Sequence, residues 1–510
     1  MKFNEHYTPS GECIFYAGSP NLQMLDALAE GPGDIWHSSL DRGWRDAFPE
    51  IAYQATVFFW YVRDFKNLHV CPSWRMEPGA FAVRRSVWEQ LGGFDDKIGS
   101  EDMRALDFAF NALRNQGAVI LHVSGLYGPA EVKPKISALD RYQFFARNFK
   151  RQHALFMLWR KGLWRVGEWK AFLSASKIPL RTGYPVVKPR PLAPMQGTPS
   201  VSYIIPTMSR QDYALTLLRD LAAQTYLPAQ VVVVDATPAA ERDESVYNPA
   251  DFPFRLDVIW QTTKGSCRAR NEAIAVCKGD YIAFGDDDIR IPRDFIENHI
   301  RFLQTNGVEA ANGLDVRAHH HTDGLDKLEQ QLRDMEPRQK RAGCAQLMSN
   351  SNAFVSRRAV ESIGGNDINY DGGYGEDNDF GFSIAKTGVL FLQNPYSANL
   401  HLKPPAGGYR VWGNQAKKTG KKRKAQPWEL DTPVRSIRPV PSPTLMYYYQ
   451  KHFGPEITRE YRHKYFFLYL FKNGWRGILG RIVRFPYRQL QFNRSLFYAK
   501  KLMALGPRIK

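Results

Sequence analysis

Apolar and polar residues in the middle of the chain are grouped in blocks that predict alternating strands and helices. Residues 201–205 form an apolar strand ended by Pro206, and a helix with apolar residues three and four positions apart follows it. The β-branched run QVVVVD predicts a buried parallel strand ending at Asp235. Segments 254–260 and 281–284 add two strands with a short helix between them. This order predicts an open α/β sheet, in which ligands bind beyond the carboxyl ends of the strands.

Three consecutive carboxylates, Asp286–Asp288, follow the strand 281–284. Like charges at a strand end repel each other, and a divalent cation offsets them, because Mg²⁺ takes one or two carboxylates and completes its shell with water and substrate phosphates. An acidic turn or a weak Ca²⁺ loop would have the same local sequence. Pro206, Thr207 and Asp235 end neighbouring strands, so we expect them in the same cleft as the aspartates.

Two further groups of charged residues are candidates for the same cleft. Arg268 and Arg270 precede Asn271 near this edge of the sheet, and their guanidinium groups can meet diphosphate charge through forked donors. Glu376 and Asp377 open a helix, where the helix dipole favours anions. Acidic capping of that helix is the plain alternative for this pair.

In this order, the motifs of residues 198–403 resemble the catalytic domain of glycosyltransferase family 2, with its Rossmann-like GT-A fold. The matching pieces are IIPT, VVVVDAT, RARNEAI, GDYIAFGDDD, an RR…GG turn, GED and a closing histidine, His401. They cover about two-fifths of the chain. The resemblance implies a mixed sheet flanked by helices, and inverting transfer of a sugar from a nucleotide-diphospho-sugar to an acceptor hydroxyl.

The resemblance also implies roles for individual residues. Asp286, Asp288 and His401 would hold a divalent metal, Mn²⁺ or Mg²⁺, and Asp377 beside Glu376 would be the general base on the acceptor hydroxyl. The residues implied in nucleotide-sugar binding are Pro206, Thr207, Asp235, Arg268, Arg270, Asn271, Asp286 and Asp287. A bound cation stabilises charge on a departing diphosphate as a Lewis acid. A carboxylate that takes the hydroxyl proton activates a weak nucleophile.

Length, cysteine usage and apolar runs set the outer limits. At 510 residues, more than one domain is expected. Five cysteines without paired spacing indicate a reducing compartment. The first residues lack the apolar core of a signal peptide, and the longest apolar runs are far shorter than the roughly 20 residues that span a bilayer. We therefore predict a cytoplasmic protein without a membrane span.

The net charge of +18 lies in the last hundred residues. Residues 411–510 hold 22 Lys plus Arg against 4 Asp plus Glu, and the other 410 residues hold 47 of each sign. A charged loop (417–433) opens this region, and aromatic and aliphatic residues then alternate with Arg and Lys. Such helices lie on anionic membrane surfaces, which predicts a peripheral protein on the inner face of the plasma membrane. Helices packed on the catalytic domain are an alternative, and the apolar clusters are too dense for a nucleic-acid-binding arm.

The N-terminal part contains a partial second copy of the family pattern. Residues 77–96 resemble residues 351–367 at a constant offset of 272, and residues 33–41 resemble residues 279–287 at an offset of 246. Internal repeats of this kind change how a chain is divided. The copy lacks the first nucleotide-binding strands, so we expect half a fold.

The catalytic residues of the family pattern are missing from this first copy. Ser39-Leu40-Asp41 stands where the metal carboxylates would be, and no histidine is expected at the closing position. The gap-free offset places Ala105 at the base position, whereas a shift of three residues would place the pair Glu101-Asp102 there.

These observations divide the chain into five segments. They are a degenerate partial glycosyltransferase-like module (1–140), a basic aromatic helical segment (141–175), a Pro-rich linker (176–197), a GT-A catalytic domain (198–410) and a basic loop with an amphipathic helical tail (411–510). The expected function is metal-dependent, inverting sugar transfer to a glycan or lipid-linked acceptor in cell-surface polysaccharide or lipid-linked glycan synthesis. The alternative is a non-catalytic, membrane-docked scaffold of a polysaccharide assembly pathway.

Overall fold

The computed structural model describes residues 3–52, 62–345, 348–409, 425–471 and 477–510. The predicted charged loop 417–433 therefore lies partly outside the described residues. The chain divides into two compact units. Unit 1 comprises Met1–Pro189, Pro337–Gln346 and Arg459–Val483, and unit 2 comprises Arg190–Glu336, Leu347–Thr458 and Arg484–Lys510.

Each unit contains one mixed β-sheet. The strands in unit 1 are β1 (Asn4–Tyr7), β2 (Cys13–Ala17), β3 (Ile35–His37), β4 (Val70–Pro72), β5 (Phe81–Arg84) and β6 (Ile120–Val123). The strands in unit 2 are β7 (Val201–Thr207), β8 (Gln230–Asp235), β9 (Arg255–Trp260), β10 (Tyr281–Phe284), β11 (Ile289–Arg290), β12 (Ala310–Arg317), β13 (Ala353–Ser356) and β14 (Phe391–His401).

Helices cover both sheets. Those that precede β7 are α1 (Leu22–Ala29), α2 (Arg85–Leu91), α3 (Glu101–Asn111), α4 (Ala138–Asn148), α5 (Arg151–Lys161) and α6 (Val166–Ala175). Those that follow it are α7 (Gln211–Ala222), α8 (Ser266–Val276), α9 (Phe295–Asn306), α10 (Leu325–Asp334), α11 (Arg357–Ile363), α12 (Glu376–Ala385), α13 (Pro443–Phe471) and α14 (Ile478–Leu505). The mixed α/β class predicted from the sequence is confirmed. No helix of the described ranges is long and apolar enough to cross a membrane.

The sheet of unit 2 has the strand order β11-β14-β12-β13-β10-β7-β8-β9. The strands β10, β7, β8 and β9 run parallel, while β13 pairs antiparallel with β10 and β12. The sequence prediction that Pro206 ends β7 is wrong, because the strand continues through Thr207 and Thr207 lies opposite Asp235. Proline has a φ that a strand tolerates and loses only one ladder hydrogen bond.

Strands β12 and β14 have an apolar face and a polar face. Their buried apolar residues form one cluster with helix α10, whose apolar residues are spaced three and four apart. The cluster contains Leu314, Val316, Leu328, Ala398, Leu400 and Leu402. Because side chains alternate across a strand, Asp315 and His401 point to the opposite face from this cluster.

Unit 1 repeats part of unit 2 element for element. Strand β5 and helix α2 begin and end at positions that differ by 272 from those of β13 and α11. The pairing of β3 with β5 fixes the other offset, because Ile35 lies opposite Val83 as Ile282 lies opposite Val355. That offset is therefore 247, and the sequence value of 246 is wrong by one residue.

A pair of aspartates bridged by a cation occurs in both units at the offset of 272. In unit 2, Lys451 Nζ lies 3.0 Å from Asp367 and 2.8 Å from Asp379. In unit 1, a guanidinium group of Arg181 lies 3.7 Å from Asp95 and 2.7 Å from Asp107. The gap-free offset places Ala105 at the base position, whereas helices α3 and α12 begin at Glu101 and Glu376, three residues off that offset. Both alignments of the base position stay predictions.

Unit 1 does hold a histidine beside its remaining carboxylate. His122, on the strand that follows α3, lies 3.6 Å from Asp41 (Nε2···Oδ1). The expectation of no histidine at the closing position therefore needs correction. The sequence comparison did not find His122, because its strand is paired differently from the strand that carries His401. Strand β6 pairs with β3, whereas β14, which holds the same place in the chain order of unit 2, pairs with β12.

The replacement Lys451→Met is expected to destabilise the protein strongly. Two nearly buried carboxylates of unit 2, those of Asp367 and Asp379, would lose their shared cation. Breaking a buried ion pair from one side costs roughly 3–5 kcal/mol. Denaturant unfolding measures this loss. The matched control is Lys501→Met, whose partner Asp431 is 79 % exposed, so little change in the unfolding free energy is expected.

Candidate active site

The carboxyl ends of β7, β8 and β10 form one polar edge in unit 2. Thr207 ends β7 and donates its hydroxyl hydrogen bond to Asp287 (Oγ1···Oδ2, 2.8 Å). Asp235 ends β8, is fully buried and accepts hydrogen bonds from the Tyr247 hydroxyl (2.9 Å) and the Thr237 amide (2.7 Å). The parallel strands thus bring three predicted site residues into one cleft, as the rule for open α/β sheets requires.

Two guanidinium groups offset the charge of the three aspartates. Arg270 donates to Asp286 (Nη2···Oδ1, 2.6 Å), and Arg210 donates to Asp287 (3.1 Å) and Asp288 (3.0 Å). Burial raises the pKa of Asp287 to about 7, although Arg210 opposes that effect. Burial would also raise the pKa of Asp288, but hydrogen bonding with an imidazole and the charge of Arg210 lower it.

The side chains of Asp286, Asp288 and His401 form a candidate metal centre. One ligand atom from each lies within 4.8 Å of the other two, and no other such group of three occurs among the described residues. The Nε2 atom of His401 faces Asp288 (3.3 Å), while its Nδ1 atom contacts Asp315 (3.1 Å). A carboxylate behind the second ring nitrogen is the usual outer-shell partner of a metal-binding histidine. The donor set therefore fits a divalent cation.

The charge of His401 depends on these two carboxylates. Burial alone would lower the pKa of its imidazole, but hydrogen bonds to Asp288 and Asp315 outweigh burial and raise it to about 10. The ring is therefore protonated at neutral pH in the metal-free protein. A metal ion must displace this proton, because only a neutral imidazole is a ligand.

Glu376 and Asp377 begin helix α12, as predicted. The turn before them requires Gly375, which has φ +102° and caps the helix. Asn350 donates a side-chain hydrogen bond to Asp377. Burial, and then the neighbouring Glu376, raises the pKa of Asp377 well above its ordinary value, against the opposing charge of Arg270. A raised pKa makes the ionised carboxylate a stronger base and also reduces the fraction that is ionised at a given pH.

The side chains of two other predicted binding residues make their contacts elsewhere. Arg268 lies 3.5 Å from the buried carboxylate of Asp371. The Asn271 amide donates to the carbonyls of Asn366 (2.8 Å) and Ile509 (2.7 Å). Donor binding by Arg268 and Asn271 stays a prediction.

Three polar residues of the site are absent from the sequence prediction: Arg210, Asp315 and Asn350. Arg210 directly follows the β7 turn and is also held by the Ala406 carbonyl (2.9 Å). Its position at the end of the IIPTMSR segment, just after a strand that carries the site, could have marked it as a site residue. Asp315 and Asn350 act through long-range contacts, with His401 and Asp377 respectively, and no local pattern marks them.

Comparison with known proteins agrees with this geometry. Residues 202–364 match the model of glycosyl transferase family 2. The likeness to that family covers about a third of the chain. The matched segment contains the strand ends and the three aspartates, and it stops short of α12 and His401. The family resemblance drawn from the sequence is confirmed for this segment.

Known relatives align with only part of their length. EpsH of Bacillus subtilis (strain 168), provisionally named a glycosyltransferase, is 30% identical over 104 residues, which is 20% of this chain and 30% of EpsH. Glycosyltransferase GlyG of Streptococcus pneumoniae serotype 4 is 24% identical over 170 residues, 30% of this chain and 54% of GlyG. Among solved structures, the mannosyltransferase PcManGT of Pyrobaculum calidifontis, in complex with GDP-Man and Mn²⁺, is 19% identical, with a TM-score of 0.36 over 71% of this chain and 96% of that one.

Proposed function

We propose that unit 2 is a metal-dependent glycosyltransferase that moves a sugar from a nucleotide-diphospho-sugar to an acceptor hydroxyl with inversion. The observation that carries the proposal is the convergence of Asp286, Asp288 and His401 at the carboxyl edge of the sheet. Asp377 supports it, because burial raises the pKa of this carboxylate and suits it to accept a proton. A single base suffices when the acceptor attacks opposite the leaving group.

Each residue of the proposed site has one task. Asp235 and Thr207 bind the nucleotide at the ends of β8 and β7. Arg270, held against Asp286 at 2.6 Å, offers its remaining donors to the diphosphate. Asp377 removes the proton of the acceptor hydroxyl, and Asn350 orients the carboxylate.

Mn²⁺ or Mg²⁺ would be held by Asp286, Asp288 and His401. When bound, such a cation supplies Lewis-acid stabilisation of the charge on the departing diphosphate. Asp315 fixes the imidazole ring so that Nε2 faces the site. Arg210 holds the carboxylates of Asp287 and Asp288 in place through its two hydrogen bonds.

A donor panel tests this proposal directly. The full-length protein is incubated with individual nucleotide-diphospho-sugars, and release of nucleoside diphosphate is followed with Mn²⁺, with Mg²⁺ and with EDTA. We expect release from at least one donor with metal, loss in EDTA and recovery with excess Mn²⁺. An equal rate in EDTA would reject the metal, and no release from any donor would reject the transferase.

We further propose that the protein works at an anionic membrane surface, which suits a glycan or lipid-linked acceptor. The turn between α5 and α6, together with helix α6, carries exposed apolar side chains beside basic ones, a composition typical of interfacial segments. The exposed fractions are 48% for Leu163, 83% for Trp164, 68% for Val166 and 54% for Leu173. Helix α14 has a similar face, with Leu479 76%, Val483 80% and Leu490 50% exposed.

Replacing Trp164 and Val166 together with serine is expected to weaken binding to anionic vesicles at least tenfold. The two side chains would lose their apolar contact with the acyl region, where each buried CH₂ contributes about 0.8 kcal/mol. Vesicle sedimentation at low and high salt measures the binding, and wild-type binding should fall as salt rises. The control Tyr7→Ser removes another exposed aromatic residue of unit 1 (60% exposed) and should bind normally. Unchanged binding of the double variant would exclude this turn.

A further inference from the structure

The C-terminal segment of unit 2 lies as an extended peptide across the glycine pair that follows helix α11. The Arg508 amide donates to Asp367 (N···Oδ1, 3.1 Å), and the Ile368 amide donates back to the Arg508 carbonyl (2.8 Å). The Ile509 side chain packs on the glycines, since a Cβ built at Gly364 would lie 3.8 Å from its Cγ1. The side chains of Asn369 and Asn271 also donate to the carbonyls of Gly506 (2.8 Å) and Ile509 (2.7 Å), so the peptide is bound through its own main-chain groups.

Unit 1 presents the same surface at the offset of 272. Its glycine pair is Gly92-Gly93, and Asp95 occupies the place of Asp367. The Lys97 amide donates to Asp95 Oδ1 (3.0 Å) as the Asn369 amide donates to Asp367 Oδ1 (3.1 Å). The carboxylate that accepts the tail amide in unit 2 therefore has the same orientation in unit 1.

A cleft occupies the corresponding place in unit 1. It has a volume of about 560 Å³, within the size range of binding sites for small ligands and short peptide segments. Its lining includes Gly92, Gly93, Asp95, Lys97, Arg181 and Gly183. The cation Arg181 holds Asp95 and Asp107 at its base.

We propose that this cleft of unit 1 binds an extended peptide from a partner protein, with one peptide N–H on Asp95 as the Arg508 amide lies on Asp367 in unit 2. An aliphatic side chain of the peptide packs on Gly92-Gly93, as Ile509 packs on its glycine pair. The preceding residue is acidic, because Lys97 stands where Asn369 accepts a hydrogen bond from Arg508 in unit 2 (2.8 Å). The peptide is held by Asp95 through one amide N–H. This inference is independent of the proposed transferase activity.

Gly183 offers a way to fill the cleft without disturbing the backbone. A Cβ at Gly183 would meet no atom within 4 Å, and the residue does not have a positive φ. Because Gly183 lines the cleft, Gly183→Trp is expected to fill part of the space that the peptide needs. Gly128→Trp is the matched control, because Gly128 in the same unit has equally open surroundings and lies outside the cleft.

The test measures fluorescence anisotropy of a labelled heptapeptide, Ala-Leu-Gly-Pro-Glu-Ile-Lys, which is the sequence 504–510 with Arg508→Glu. We expect one peptide per full-length chain, affinity at least tenfold weaker in Gly183→Trp, and a change below twofold in Gly128→Trp. A second peptide with a methylated glutamate nitrogen lacks the amide proton for Asp95 and should also bind at least tenfold more weakly. The comparison of the two peptides uses the wild-type protein alone.

Three results would overturn the proposal. They are no binding of the heptapeptide at millimolar concentration, equal affinity of Gly183→Trp and wild type, and equal affinity of the methylated peptide. Equal affinity of the glycine variant would place the peptide elsewhere, for instance on the surface that residues 506–509 cover in unit 2. Donor hydrolysis by the same samples reports on the transferase separately.

Discussion

Replacing Asp377 with asparagine is expected to lower the turnover of sugar transfer by roughly 10²–10⁴, the range typical of removing a general base. Asparagine keeps the size of the side chain and can still pair with Asn350, so donor binding should stay within about twofold. The acceptor hydroxyl loses the group that takes its proton. Single-turnover transfer and donor binding are measured on the same preparation, with Asp212→Asn on the exposed start of α7 as control.

The same substitution should make the folded protein more stable. Burial and Glu376 raise the pKa of Asp377, so the folded state binds this proton more tightly than the unfolded state does. The unfolding free energy contributed by this group therefore falls as pH rises from the unfolded pKa, roughly 4, to the raised folded pKa. Asparagine removes that penalty, so Tm at neutral pH should rise. A variant that transfers sugar at the wild-type rate would reject Asp377 as the base.

The pH profile of the wild type follows from the same shift. Transfer needs the ionised form of Asp377, so the rate should fall as pH decreases through the raised pKa. The loss should begin at a higher pH than for an ordinary carboxylate. The residual transfer of Asp377→Asn should lack this acidic limb.

Local patterns were sufficient to predict the strands that carry the site. The β-branched run of β8 and the strand before the triple aspartate both appear in the structure, and their parallel pairing follows from the helices between them. The carboxyl-edge rule then places Thr207 and Asp235 beside Asp287. The family segment 202–364 covers this same part of the chain.

Contacts between distant segments could not be predicted in this way. Asp315 reaches His401 because β12 and β14 pair in parallel with a β-bulge at residues 312–314, a register that neither strand encodes alone. The site role of Arg210 depends on the glycine turn at 407–408, where a Cβ atom would collide with its side chain. Composition alone leaves three alternatives for the basic tail: a membrane surface, packing on the catalytic domain, or nucleic-acid binding. The placement of Lys451 and Arg508 on Asp367 is specific side-chain geometry that composition does not contain.

The internal repeat was only partly predictable by comparing the two halves of the sequence. The offset of 272 holds from β5 to Asp107, because both units keep the cation-bridged aspartates. The earlier offset of 246 failed by one residue, since a short strand with weak similarity has no feature that fixes its register. The pairing of β3 with β5 in the structure fixes this register.

Removing Asp288 is expected to abolish most of the metal-dependent affinity for nucleoside diphosphate. Asp288→Ala deletes a direct ligand, whereas Asp315→Asn alters only the partner of the His401 Nδ1 atom. Loss of an outer-shell partner costs roughly 10–100-fold in metal affinity, so the direct ligand should cost more. Calorimetry with Mn²⁺, with and without EDTA, measures this metal-dependent affinity. It should be lowest in Asp288→Ala, intermediate in Asp315→Asn and unchanged in the control Asp212→Ala.

Metal binding should also release a proton from the wild-type protein. The pKa of His401 is raised to about 10, so at neutral pH its imidazole carries a proton that must leave before Nε2 can bind a cation. Below that pKa, Mn²⁺ affinity should therefore increase by about tenfold per pH unit for one displaced proton. Titrations in two buffers of different ionisation enthalpy count the protons released. Release close to zero at pH 7, or an affinity that does not change between pH 6 and 8, would exclude His401 from the metal shell and leave the cation to the carboxylates alone.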